Sequence, residues 1–149
     1  MSWKAAVLAV VALVPVPAYA EQSPFYPGPR TVSVVRVIDG DTAVAADTSA
    51  GILGTVRILG IDTPEKNSTC AAERLAAKKA AEEAERFLAR DGITLERVRK
   101  SLDKYRRTLA YFTAGSENLS EHMIAAGLAR PYSGEKRQPW CDEQGNLTP

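Results

Sequence analysis

Three short runs of β-branched and alternating apolar residues follow one another between residues 31 and 61, with turn signals between them. The first run ends at Asp39-Gly40, a dipeptide typical of tight hairpin turns, and residues 48–51 form a second turn ending in glycine. Pro64 ends the third run, because proline has no backbone N–H for a central strand. The pattern predicts an antiparallel meander with strands at residues 31–38, 41–47 and 52–61.

The second half of the chain alternates helix and strand signals. Alanines recur every fourth residue from Ala72 to Ala84, which predicts a helix with an apolar stripe that ends near Gly92. A second helix is expected after Asn118 or Ser116, either of which could cap it, and Gly127 closes it. The two helices are predicted at 71–89 and 119–126. Between and after them we predict strands at 93–98 and 108–113, a charged connection at 99–107 and an extended segment at 128–132.

Three strands, a helix, two strands and a helix form the order of an OB-type barrel. We therefore predict an α+β fold that is mainly a five-stranded β-barrel with helices. The 149 residues suffice for one domain. We place this domain at residues 31–141, after a proline-rich lead-in at 21–30 and before a polar tail at 142–149, and we expect a monomer.

The first twenty residues have the pattern of a secretory signal peptide. A positive start precedes an apolar run, and an A-x-A sequence ends at Ala20. A membrane anchor is the alternative, but the run is shorter than the ~20 apolar residues that span a bilayer. We predict cleavage after Ala20, a periplasmic or secreted mature protein, and no membrane association after cleavage.

The charge balance excludes a broadly polybasic surface. Without Lys4, the 19 Lys and Arg residues become 18, against 18 Asp and Glu residues. The mature protein thus has a formal charge near zero, so any polyanion would have to be bound by locally placed arginines.

The chain has two cysteines, Cys70 and Cys141, which are too few for a zinc site. In an oxidising compartment a disulfide is favoured, while two unpaired buried thiols remain the alternative. A bridge would span 141 − 70 = 71 positions and would stabilise the fold by roughly 4 kcal/mol in the chain-entropy model.

Acidic residues lie at the ends of two neighbouring predicted strands. Asp41 begins the second strand, and Asp62 and Glu65 follow the third. In a meander these ends share one edge of the sheet. Carboxylates packed together need a neutralising cation, and an all-oxygen set suits Ca²⁺ or Mg²⁺ rather than zinc. Solvated turn aspartates are the simpler alternative.

Two arginines strengthen the functional interpretation. Arg57 lies on the same strand as Asp62, and Arg107 lies where the fifth strand begins. The arginine fork matches phosphate oxygens. A hard cation, two arginines and a glutamate that orients water are the components needed to cleave a phosphodiester. For either arginine alone, a surface ion pair would be the ordinary explanation.

Three motifs together closely resemble the staphylococcal nuclease family. They are Val37-Ile-Asp-Gly-Asp-Thr42, Arg57-x-x-Gly-Ile-Asp-Thr-Pro-Glu65 and Asp103-Lys-Tyr-x-Arg107, within a resemblance that runs from about residue 34 to 132. Cys70 and Trp140-Cys141 also look like positions of exported bacterial members.

The resemblance implies an OB-fold and a Ca²⁺-dependent hydrolase of DNA and RNA. Water would attack phosphorus and the 5′-oxygen would leave, which gives 3′-phosphate ends. The roles it implies are calcium ligation by Asp41, Asp62 and the Thr63 carbonyl, general base catalysis by Glu65, phosphate binding by Arg57 and Arg107, and nucleotide contacts by Lys104, Tyr105 and Tyr132.

One residue departs from the family pattern. Arg106 stands where the family usually has glycine. If the position requires a positive φ, arginine there costs about 1 kcal/mol.

A non-catalytic OB-fold module of the cell envelope, which binds nucleic acid or protein, is the alternative to a nuclease. The set Asp41, Arg57, Asp62, Glu65 and Arg107 favours the nuclease, since a binding module does not need it.

Overall fold

The computed structural model describes residues 28–47, 52–97 and 102–148. The predicted signal peptide, residues 21–27 of the lead-in, the turn at 48–51 and the segment at 98–101 lie outside these residues. The elements are β1 (Pro29–Asp39), β2 (Thr42–Asp47), β3 (Ile52–Ile58), β4 (Gly60–Asp62), α1 (Ala71–Leu88), β5 (Ile93–Arg97), β6 (Thr108–Ala114), β7 (Glu117–Asn118), α2 (Leu119–Ala125) and β8 (Arg130–Tyr132).

Five strands close into a mixed β-barrel, which confirms the predicted α+β fold of the OB type. β2 pairs antiparallel with β1 and with β3, and β5 pairs antiparallel with β1 and with β6. A parallel pairing of β3 with β6 completes the ring, with Val56 opposite Thr108 and Ile58 opposite Ala110. The edges of β3 and β6 are thereby joined to each other.

The third predicted strand is divided in two at Leu59. Gly60 has a φ of +85°, a value that glycine adopts without a Cβ penalty. The chain therefore leaves the barrel, and β4 pairs instead with β8, with Asp62 opposite Arg130. The sequence pattern did not reveal this break, because the apolar run continues from Ile58 through Ile61.

The hairpin turn between β1 and β2 lies against α1 and the end of β4. A Cβ built on Gly40 would lie 2.9 Å from Cβ of Ala80 and 2.9 Å from Cγ2 of Thr63. Glycine is needed here for close approach. Ala80 and Ala84 are fully buried, so the alanine stripe brings the helix onto the barrel as predicted.

Asn118 is the cap of α2. Its side chain accepts hydrogen bonds from the backbone N–H groups of Ser120 (2.8 Å) and Glu121 (3.4 Å), which satisfies two of the unpaired donors of the first turn. Of the two caps considered, the structure selects Asn118 over Ser116.

Cys70 and Cys141 form a disulfide with an S–S distance of 2.02 Å, which confirms the predicted bridge. It attaches the C-terminal segment beside the start of α1. Cys141 pairs with Leu147 in an isolated bridge, and the backbone N–H of Thr148 donates to the carbonyl of Trp140 at 3.0 Å. Within the described part of the chain, no helix combines the length and apolar character needed to cross a bilayer.

Candidate active site

Asp41, Arg57 and Asp62 are buried together at one edge of the barrel. Their exposed fractions are 5%, 7% and 4%, and Thr63 beside them is also buried. The β2–β3 register places Thr42 opposite Arg57, so Asp41, one residue before Thr42, lies next to the guanidinium. Nη1 of Arg57 is 3.0 Å from Oδ2 of Asp41.

The Arg57 guanidinium also binds the backbone at the point where β3 gives way to β4. Nη1 donates to the carbonyl of Ile58 at 2.7 Å and Nη2 donates to that of Ile61 at 2.9 Å. Burial lowers the pKa of Arg57, against the opposing effect of the Asp41 charge. The fork therefore fixes the path of the chain that leads to Asp62.

Two residues near the C-terminus, Arg137 and Trp140, contact the Asp62 carboxylate. The indole N–H of Trp140 donates to its Oδ2 at 3.0 Å, and Nε of Arg137 lies 2.7 Å from its Oδ1. This second contact is an ion pair outside hydrogen-bond geometry, so Oδ1 is buried without a hydrogen bond. Burial raises the pKa of Asp62, although Arg137 and Trp140 act in the opposite direction.

Arg137 contacts all three carboxylates of the site. Besides Asp62, its Nη2 lies 3.2 Å from Oδ2 of Asp41 and its Nη1 pairs with Oε1 of Glu65. Burial lowers the pKa of Arg137, but the hydrogen bond to Glu65 and the charges of Asp62 and Asp41 outweigh it and raise the pKa overall.

Sequence reasoning missed Arg137, because the stretch from 133 to 138 is polar and carries none of the recognised motifs. The nearest signal is Cys141, four residues later, although it does not indicate which polar residue turns inwards. A bridge from Cys141 to Cys70 brings this stretch beside the loop that carries Glu65.

Glu65 lies on a loop that a second glutamate holds in place. The backbone N–H of Glu65 donates to Oε1 of Glu73 at 3.0 Å, and the Ser68 hydroxyl donates to Oε2 at 2.5 Å. Ser68 in turn accepts from the backbone N–H of Cys70 at 3.1 Å. Glu73 is buried in the first turn of α1, whereas the Glu65 side chain is 51% exposed. Glu73 was read only as part of the helix, and nothing in its pattern set it apart.

Asp39 is a fourth acid beside the site. Its Oδ1 accepts a hydrogen bond from the backbone N–H of Asp41 at 3.3 Å. Burial, followed by the charge of Asp41, raises the pKa of Asp39 to about 6.

Arg107 approaches the same edge from the start of β6. Its Nη1 donates to the Thr42 hydroxyl at 3.4 Å, and that hydroxyl donates to Oδ1 of Asp41 at 2.9 Å. Asp103 orients Arg107, because Oδ2 accepts from Nε and Oδ1 accepts from the backbone N–H, both at 2.8 Å. Arg106 has a φ of +62°. Arginine therefore occupies a left-handed conformation in this turn, and Arg107 still reaches the site edge.

The three residues predicted to contact nucleotide differ in how closely they approach the site. Tyr105 is 66% exposed, and the Arg107 guanidinium lies over its ring at 5.2 Å. Lys104 lies 5.0 Å from the same ring. Tyr132, on β8, has the Arg137 guanidinium 6.0 Å from its ring centroid. Each tyrosine is thus paired with an arginine that reaches the carboxylates or their hydroxyl neighbour.

The donor chemistry of this edge fits a hard divalent cation. Carboxylate oxygens of Asp41 and Asp62 and the Thr63 carbonyl are the ligand types that Ca²⁺ prefers, and the buried Oδ1 of Asp62 has no hydrogen bond. In the described ranges, no three acidic, His or Cys side chains are grouped to hold a metal ion as they stand, and Arg137 lies among the three carboxylates.

Comparison with known proteins places the chain in a family. A family model described as staphylococcal nuclease homologue matches residues 55–146. The chain is 36% identical over 101 residues to a thermonuclease of Staphylococcus hyicus, covering 68% of this chain and 59% of that protein. It is 37% identical over 97 residues to a thermonuclease of Staphylococcus intermedius, covering 65% of this chain and 56% of that protein. The chain thus spans less than two thirds of each of these relatives. With more than half of its length matched, the chain belongs to the staphylococcal nuclease family.

Proposed function

We propose that this protein is a Ca²⁺-dependent nuclease that hydrolyses phosphodiester bonds of DNA and RNA. The observation that carries the proposal is the convergence of two buried aspartates and two arginines at one barrel edge, next to a solvent-exposed glutamate. The printed name of both relatives, thermonuclease, supports the same activity.

The burial of the acids divides their roles. Asp41 and Asp62 are buried and, with the Thr63 carbonyl, would hold the cation. When bound, Ca²⁺ would neutralise negative charge that develops on the phosphoryl oxygens. Glu65 is exposed, so it can accept a hydrogen bond from water and orient or deprotonate it for attack on phosphorus. Departure of the 5′-oxygen would then leave a 3′-phosphate.

The arginines would stabilise the transition state by hydrogen bonding to phosphoryl oxygens. Arg107 is held by Asp103 at the edge of the site with a quarter of its side chain exposed, so it can reach a phosphate bound at this edge of the barrel. Arg57 is more deeply buried and bound to backbone carbonyls. It would combine phosphate binding with support of the β3–β4 break that leads to Asp62.

Lys104, Tyr105 and Tyr132 would form the nucleotide-binding rim. Tyrosine rings can stack on bases without regard to sequence, and the adjacent cations can pair with backbone phosphate. This rim would accept both DNA and RNA, since stacking does not require a particular sugar.

The decisive experiment incubates mature protein with 5′-labelled single-stranded DNA and RNA, in Ca²⁺ or in chelator, beside Glu65→Gln. We expect Ca²⁺-dependent degradation to fragments whose 3′ ends are sensitive to phosphatase, and strong loss of activity in Glu65→Gln. Glu121→Gln, an exposed glutamate on α2, is the matched control. Equal degradation in all conditions, or none in any, would refute the catalytic proposal; binding without cleavage would favour the non-catalytic module.

We also propose that the mature protein begins after Ala20, acts in the periplasm or outside the cell, and is monomeric. N-terminal sequencing of protein from cell fractions tests the first two statements. A mass from light scattering that corresponds to a dimer would contradict the third.

A further inference from the structure

The Arg137 guanidinium occupies the centre of the acidic cluster. Each of its three nitrogens faces a different carboxylate: Nε faces Asp62, Nη2 faces Asp41 and Nη1 faces Glu65. A guanidinium is planar and presents its donors in a fixed fork, so one side chain bridges all three acids. Arg137 is therefore an internal cation at the same carboxylates that the proposed function assigns to cation and water.

The chain around Arg137 is fastened to the body of the protein. Three residues later, the Trp140 indole donates to Asp62, and the next residue, Cys141, is joined to Cys70. The carbonyl of Pro139 accepts from Nη1 of Arg130 at 3.1 Å. This anchoring keeps the guanidinium at high effective concentration beside the carboxylates.

There is room beside the cluster for an exchange of cations. A cavity of about 600 Å³ lies between the Glu65 loop and the C-terminal segment, and Asp62, Glu65 and Arg137 are among its lining residues. The Arg137 side chain is itself 38% exposed, so it can leave the carboxylates by rotating towards solvent, without passing through the core.

We propose that Arg137 sets the affinity of the cation site by competing with the divalent cation for Asp41 and Asp62. A guanidinium and a divalent cation cannot both neutralise the same oxygens without like-charge repulsion. The measured dissociation constant is thus the intrinsic constant divided by the fraction of molecules in which Arg137 has left. This inference rests on the proposed function, since it concerns the same carboxylates.

Isothermal titration of Ca²⁺ into the full mature protein tests the competition. Arg137→Ala should bind Ca²⁺ with a dissociation constant about tenfold lower than that of the wild type, which corresponds to 1.4 kcal/mol. Lys136→Ala removes the same charge from the exposed neighbouring position and should leave the constant unchanged. Arg137→Lys keeps the charge but loses the guanidinium fork, so its dissociation constant should lie between those of the wild type and Arg137→Ala.

Thermal unfolding in chelator gives a readout that needs no bound cation. Arg137→Ala should unfold at a lower temperature than Lys136→Ala, because Asp41, Asp62 and Glu65 each lose a cationic partner, and added Ca²⁺ should raise its midpoint more than that of the wild type. Circular dichroism checks folding; if Arg137→Ala does not fold, Arg137→Lys carries the comparison.

The possible failures can be told apart. Equal constants for the wild type and the folded Arg137 variants would overturn the competition while leaving the cation site in place. Absence of Ca²⁺ binding in every protein would overturn the competition together with the proposed cation site.

Discussion

The buried Glu73, which binds the loop that carries Glu65, offers the sharpest test of how the site is held. Glu73 accepts hydrogen bonds from the Glu65 backbone and from the Ser68 hydroxyl. Glu73→Gln keeps the shape but retains one acceptor oxygen and points an NH₂ group at the other donor. One bond to a charged group is lost, at about 1.5–3 kcal/mol.

A second effect of the change comes from the helix itself. Glu73 is the third residue of α1 and Glu121 is the third residue of α2. An acid in the first turn stabilises a helix by about 0.3–1 kcal/mol. Glu121→Gln should lose only this stabilisation of the helix by an acid in its first turn, since Glu121 is exposed. The difference between the variants, about 2 kcal/mol, isolates the support of the loop.

Thermal unfolding and steady-state kinetics on labelled DNA measure the two consequences. Glu73→Gln should unfold about 8 °C below Glu121→Gln. Because Glu73 acts through the position of Glu65, its kcat should fall about tenfold with little change in KM. Equal midpoints for the two variants, or a loss that appears only in KM, would refute the reasoning.

Three further predictions concern the disulfide and the turn before β6. Replacing Cys70 and Cys141 by serine should lower the free energy of unfolding in urea by about 4 kcal/mol; an unchanged midpoint would count against the loop-closure argument. Arg106→Gly should raise the free energy of unfolding by about 1 kcal/mol, because a φ of +62° is strained for any residue with a Cβ. Arg106→Ala should bring no such gain. Burial tends to raise the pKa of Asp103, but hydrogen bonds from Arg107 outweigh it and hold the pKa below 3.8. A carboxylate whose pKa is lower in the folded than in the unfolded state stabilises the fold at pH values above the unfolded pKa. This stabilisation is lost as the pH falls through the folded pKa. The stability difference between wild type and Asp103→Asn should therefore be constant from about pH 5 to 7 and shrink below about pH 4; a difference that persists in strong acid would be inconsistent with this.

The barrel could be predicted because its elements are encoded locally. The Asp39-Gly40 turn and the alanine stripe each specify a short-range structure, and their order is compatible with few topologies. The break at Gly60 was not predicted, because glycine within an apolar run fits both a continuous strand and a kink. The break comes with a tertiary pairing that local patterns do not specify, because β4 leaves the barrel and pairs with β8, with Gly60 opposite Tyr132.

The site was predicted as far as its residues lie in motifs near strand ends. Asp41 and Arg57 come together through the β2–β3 register, which a meander dictates, and Asp62 follows on β4. Arg137 and Trp140 lie in a stretch that the disulfide at Cys141 joins to Cys70, far from the strand-end motifs in sequence. Even with the bridge predicted, the sequence does not specify which of the polar residues before it turns inwards.

The parallel pairing of β3 with β6 has a consequence for how the molecule folds. It joins Val56 to Thr108, a separation of 108 − 56 = 52 positions, whereas the β1–β2–β3 meander requires only short loops. Long-range pairing is kinetically slow because loop-closure entropy is lost before any contact is gained. Asp41 and Arg57, which the β2–β3 register brings together, can thus meet early, and Arg107 joins them only when the barrel closes. We expect this closure to limit the folding rate.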